Sequence, residues 1–191
     1  MSVPFRSSDR GAGVGAPPRW LRRRAYFLLP AAVAALVHNA FHEWVHLAAA
    51  WALGERVLEF RLLTNGWGTS QVIFATPVDE RSGAAWLVIA WAPAVLTTLV
   101  GYALYLARGR LLGRVKLLNV QLWFLGVFFL LLDPLYLGVL SLVVGGVIGA
   151  VAAVGWSPWP VRLVAILLLF VNVRLFLNWR RESSAQPHRF I

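Results

Sequence analysis

Residues 26–53 read YFLLPAAVAALVHNAFHEWVHLAAAWAL. The run is long enough to cross a bilayer, which takes about 20 consecutive apolar residues. Its second half nevertheless carries His38, Asn39, His42, Glu43 and His46. Ionisable groups at such a depth are costly and by default point to function. A helix turns about 100° per residue, so His42 and His46 project about 40° apart on one face. Both imidazoles can reach a single ion. Glu43 lies about 60° round from His46, beside the ion but offset from the pair. H-E-x-x-H on a helix is the spacing of a zinc-hydrolase site, with two His ligands and a Glu general base. The plain structural alternative is a set of buried polar side chains paired with neighbouring helices.

Composition agrees with the membrane reading. Of 191 residues, 59% are hydrophobic, more apolar surface than one water-soluble core can hide. The absence of cysteine excludes thiolate metal sites, so any ion must be held by His, Asp or Glu. The net charge of +10 comes from basic clusters at the ends of apolar runs. Anionic lipid headgroups and topology explain these better than nucleic acid does. No cleavable signal peptide is expected.

The expected fold class is an all-α polytopic membrane protein, with about four transmembrane helices and a small membrane-associated β-hairpin after the first. Residues 1–18 are expected to be a disordered arm rich in Ser, Gly and Pro. Residues 19–181 form one transmembrane domain, and 182–191 a polar tail. Arg19, Arg22, Arg23 and Arg24 precede the first span, which Gly54 is placed to stop. Alternating residues from Val57, the turn dipeptide Asn65-Gly66 and the β-prone Gln71 to Phe74 predict the hairpin. A second span covers residues 84–107, with Pro93 and Gly101 inside it. Residues 117–155 are almost wholly apolar and too long for one straight crossing. Pro134 should break the backbone near Asp133, and Gly145-Gly146 interrupts the run again. A last span covers 161–179. The clusters at Arg19 to Arg24, Arg108 to Lys116 and Arg180-Arg181 all favour the cytoplasm, which fits four crossings with both termini inside.

A catalytic zinc usually has three protein ligands and one open position. Outside the first span, His188 lies in the polar tail, Asp79 and Glu80 in a loop, and Glu182 past the last span. By elimination Asp133, the one acid within a later apolar run, is the expected third ligand. Its alternatives are a protonated carboxyl or a helix cap. His38, one turn before His42, could be a ligand, a partner of a ligand or a polar wall. The partner role is favoured, because three successive turns of one helix cannot surround an ion.

With these residues in view, the chain resembles the site-2 protease family of intramembrane zinc metalloproteases, as a small member without a PDZ domain. His42-Glu43-Trp44-Val45-His46 carries the resemblance, followed by small residues, Leu53-Gly54 and Arg56-Val57. The Gly66-Trp67-Gly68-Thr69 turn is similar to the family's glycine-rich hairpin. Trp91-Ala92-Pro93 resembles its Ala-Gly-Pro element, and Leu132-Asp133-Pro134 its Leu-Asp-Gly element. The chain departs from the family with Trp44-Val45 for Leu-Gly and Pro134 for Gly. The resemblance covers residues 33–138 and implies a Zn2+ cofactor held by His42, His46 and Asp133.

The function so implied is hydrolysis of a peptide bond in a transmembrane protein substrate, with Glu43 as the base. Because a helical substrate hides its carbonyls, it must first unwind, and the hairpin could pair with the unwound segment. Two other classes stay open: a catalytically silent protease-fold chaperone or regulator, and a metal or proton transporter. The intact Glu43 argues against the first, and the clustering of polar residues near one depth against the second.

Overall fold

The computed structural model describes residues 19–64, 69–113, 115–144, 151 and 154–185. The N-terminal arm, the 65–68 turn, Gly145-Gly146 and His188 lie outside the described residues. The chain is mostly helical. Helix α1 spans Arg19–Ala52, α2 Gly83–Leu111, α3 Lys116–Leu135 and α4 Trp159–Ala185. Between α1 and α2 lies an antiparallel hairpin of β1 (Val57–Thr64) and β2 (Thr69–Phe74). The first helix begins at Arg19 rather than Tyr26, and the last runs on to Ala185. Arg19, Arg22, Arg23 and Arg24 and the pair Arg180-Arg181 therefore sit on helical end turns.

Among the described residues, three helical stretches are long and apolar enough to cross a membrane: Gly83–Leu111, Lys116–Val143 and Trp159–Ser183. Helix α1 is longer than any of them, but its apolar run is interrupted by the five polar residues from His38 to His46, and it is not among the three. On α4, Leu163, Leu167 and Phe170 are about three-fifths exposed, so its outward face is apolar. Helix α3 is central and packs against the other three helices. Its buried residues Asn119, Val120, Gly126, Phe129, Leu130, Asp133 and Pro134 recur at helical spacing.

Helix α1 ends as Gly54 predicts. Gly54 takes φ +77°, and the Glu55 amide donates back to Ala50 O at 2.8 Å while the Gly54 amide donates to Trp51 O at 3.2 Å. This is a Schellman ending, which satisfies the last carbonyls and sends the chain back along the helix. The hairpin follows that course. Asn39 Nδ2 donates to Ser70 Oγ at 2.9 Å. Asn39 lies fourteen residues before Leu53, about 20 Å along the axis. The strands therefore reach the level of the His/Glu cluster. On leaving β2, the Arg81 guanidinium stands 5.0 Å over both Phe74 and Trp86 rings, and its Nε donates to Thr76 O at 3.0 Å.

Pro134 does not break the helix. Helix α3 continues through Asp133 and Pro134 to Leu135, and the irregularity comes after them as a π-helical turn over Tyr136–Leu140. A proline inside a helix removes the donor to the carbonyl four residues back, here Leu130 O. That carbonyl instead accepts from Asn172 Nδ2 at 2.6 Å. With its loss of a donor made good from α4, the helix has no need to open. Close helix approach is set by small residues. A Cβ on Gly101 would lie 2.8 Å from the Phe129 backbone, and one on Gly126 would lie 2.2 Å from the Trp179 ring. At the far end, the Arg108 guanidinium donates twice to Glu182, both at 2.8 Å. This pair brings the C-terminal ends of α2 and α4 to one end of the bundle.

Candidate metal centre

The helical spacing of residues 42–46 brings the side chains of the motif together. His42, Glu43 and His46 are all half-buried, and one ligand atom from each lies within 4.8 Å of the others. They are the group of metal-capable side chains among the described residues. The His42 and His46 rings stand edge to face, with centroids 5.0 Å apart.

His46 is oriented by α2. Its Nδ1 lies 2.8 Å from Ile89 O. A carbonyl only accepts, so Nδ1 carries the proton and Nε2 keeps its lone pair for an ion. Ile89 O is available because Pro93, four residues on, has no N–H to offer it. The proline in α2 thus frees the carbonyl that sets the tautomer of His46 on α1.

Asp133 is buried and arrives from α3. Its Oδ1 lies 3.1 Å from His42 Nδ1, and its Oδ2 3.3 Å from His38 Nε2. Thr97 on α2, fully buried, gives its hydroxyl to Oδ2. The two imidazole contacts are close without being aligned as hydrogen bonds, which leaves His42 Nδ1 buried with no hydrogen-bond partner. Asp133 therefore meets the motif through His42 and stands beside the His42/Glu43/His46 group rather than within it. His38, 2% exposed, touches Asp133 and packs edge-on against Phe129, at 5.0 Å between ring centroids. It stands where a partner of a carboxylate would.

Glu43 lies one turn after Asn39 on α1. The bond from Asn39 to Ser70 fastens the turn of α1 before the motif to β2. Zinc suits this donor set: imidazole nitrogens and carboxylate oxygens, with a buried nitrogen still unspent and a second with its lone pair free.

Sequence reasoning brought His42, Glu43, His46, Asp133 and His38 to attention, and the structure gathers all five. It missed Thr97, Ile89 and Ser70. A threonine in an apolar helix gives no signal, because its hydroxyl routinely lies against the carbonyl a turn earlier, as Thr97 Oγ1 does at 2.7 Å from Pro93 O although its one proton goes to Asp133. A backbone carbonyl leaves no trace in side-chain sequence, although Pro93 marked where one was freed.

No family model, no curated protein and no solved structure matches the chain.

Proposed function

We propose that the chain is an intramembrane zinc metalloprotease that hydrolyses a peptide bond of a membrane-embedded protein substrate. The observation that carries the proposal is the convergence of His42, Glu43 and His46 on one helix face, with the Asp133 carboxylate 3.1 Å from His42. In this reading α1 is a fourth span and both termini are cytoplasmic. The pairing of Arg108 with Glu182 supports that topology, since two basic helix ends then share one side.

His42 and His46 would hold the zinc, with Asp133 as the carboxylate supplied from a second helix. When bound, the ion acts as a Lewis acid on the scissile carbonyl and makes water a stronger nucleophile near neutral pH. The rest falls to the chain's own groups. Ile89 O keeps the His46 ring in place and in the correct tautomer. Glu43 accepts a proton from the attacking water and returns it to the leaving amine. The hairpin alongside can accept an unwound substrate segment by strand addition. Pure binding or ion passage needs no base held beside the ligand pair, so the silent and transporter readings leave Glu43 unexplained.

The test is Glu43→Gln in the detergent-purified protein. Zinc content should match the wild type, while cleavage of a single-span model substrate is lost. Undiminished turnover in that variant overturns the assignment.

A further inference from the structure

Away from the motif, a second buried polar cluster joins three helices. Asn172 on α4 is fully buried. Its Nδ2 donates to Leu130 O at 2.6 Å, and its Oδ1 accepts from the Tyr102 hydroxyl on α2 at 2.7 Å. The amide orientation is fixed from both sides, because Leu130 O can only accept and Nδ2 can only donate. Buried polar side chains in an apolar bundle are expensive and need a reason. Mere association of helices does not require an asparagine aimed at one backbone carbonyl.

The reason lies in the sequence position of that carbonyl. Leu130 O is the one group that Pro134 deprives of its helical donor. Leu130 is also one turn before Asp133. Lacking its internal hydrogen bond, this turn of α3 has extra freedom to bend, and Asp133 rides on it. We propose that Asn172, itself held by Tyr102, replaces the hydrogen bond that Pro134 removes, and so sets the position of Asp133 against His42. Asn172 and Tyr102 are positioning residues for the candidate metal centre, although neither touches it. The inference rests on the metal-centre reading for its consequence, but not for the hydrogen-bond replacement itself.

Two further sequence facts fit. Thr97, which gives its hydroxyl to Asp133, lies five residues before Tyr102 on α2, so one helix braces both the carboxylate and its support. The π-helical turn starts at Tyr136, after the braced segment and not within it.

A cycle of variants tests the proposal: Asn172→Leu, Pro134→Ala, and the two combined, all as full-length protein in detergent. Pro134→Ala restores the backbone donor to Leu130 O and makes Asn172 redundant for that role. Two readouts are taken, the melting temperature without metal and the visible spectrum and affinity of added Co2+. Asn172→Leu should lower the melting temperature in the wild-type background and much less in the Pro134→Ala background. It should also alter the Co2+ spectrum and weaken binding by about 10- to 100-fold, the usual cost of losing an outer support. The double variant should recover most of both. Tyr102→Phe should reproduce the effect in milder form.

Equal losses from Asn172→Leu in both backgrounds would show that the residue serves packing alone and would overturn the proposal. So would Co2+ bound by the Asn172→Leu variant with the wild-type spectrum and affinity. Failure of the wild type to bind Co2+ would instead remove the metal reading and with it the positioning role. The melting cycle would still decide whether Asn172 replaces the lost hydrogen bond.

Discussion

His46 owes its orientation to a carbonyl that a proline one turn further along α2 sets free. Pro93 leaves Ile89 O without a helical donor, and His46 Nδ1 fills the gap at 2.8 Å. Pro93→Ala would supply a backbone N–H that competes for the same oxygen. Metal affinity, measured by chelator competition, should fall about tenfold even as the helix itself becomes more regular. Unchanged affinity would mean that His46 is held by something other than Ile89. Asp133 and His38 part company under the same assay. If the centre holds zinc as proposed, Asp133→Ala should purify with little of it, and Asp133→Asn nearly as poor, since the carboxylate charge would balance the ion. His38→Ala should keep its zinc and lose activity at most in part. An Asp133→Asn protein that retains zinc would make Asp133 an orienting partner of His42, the contact it makes at 3.1 Å. At this scale much was legible in the sequence. Two histidines at helical spacing announce themselves by periodicity, and Asp133 by being the one acid in a later apolar run. What stayed hidden were groups whose role depends on another helix, namely the Ile89 carbonyl and the Thr97 hydroxyl.

Helices α2, α3 and α4 meet where side chains are missing. Gly101 admits the α3 backbone at Phe129 and Leu130, and Gly126 admits the Trp179 ring. The two differ in what can yield. Gly101→Ala would drive a methyl into backbone, so the helices must separate, and a loss of about 1–3 kcal/mol is expected. Because Leu130 lies at that contact, zinc affinity should drop along with stability. Gly126→Ala meets a ring at 2.2 Å, which must leave its buried place. Stability should fall by a similar amount, but zinc affinity should hold, since Gly126 is nearly two turns before Asp133. A comparison of melting temperature with metal affinity in the two variants checks this contrast. At the element scale the hairpin and the Gly54 stop were readable from turn chemistry. The break at Pro134 was not, because a proline's effect depends on whether something else bonds the carbonyl it orphans. Asn172 lies 38 residues further on, and no local pattern connects it to Leu130.

In the proposed membrane topology, the whole molecule has to choose which ends face the cytoplasm. Basic residues on the first turns of α1, the last turns of α2 and the last turns of α4 all favour that side. The bundle gives the last two a shared end, because Arg108 and Glu182 are joined by two hydrogen bonds of 2.8 Å. Helices whose C-terminal ends meet run parallel, so the chain between them must cross an odd number of times. The single helix Lys116–Leu135, with its π-helical extension, provides one such crossing. If α1 is the first span, the hairpin and Asp79 then lie toward the opposite face. The chain has no cysteine of its own, so single cysteines report cleanly. Asp79→Cys should react with an impermeant thiol reagent on intact cells, whereas Gly109→Cys and Ser184→Cys should react only after lysis. Labelling of both Gly109→Cys and Ser184→Cys from outside, with Asp79→Cys protected, would invert the bundle and leave its packing intact. Labelling of only one of those two would contradict the parallel arrangement of α2 and α4. The Arg108–Glu182 pair would then have no common side on which to form.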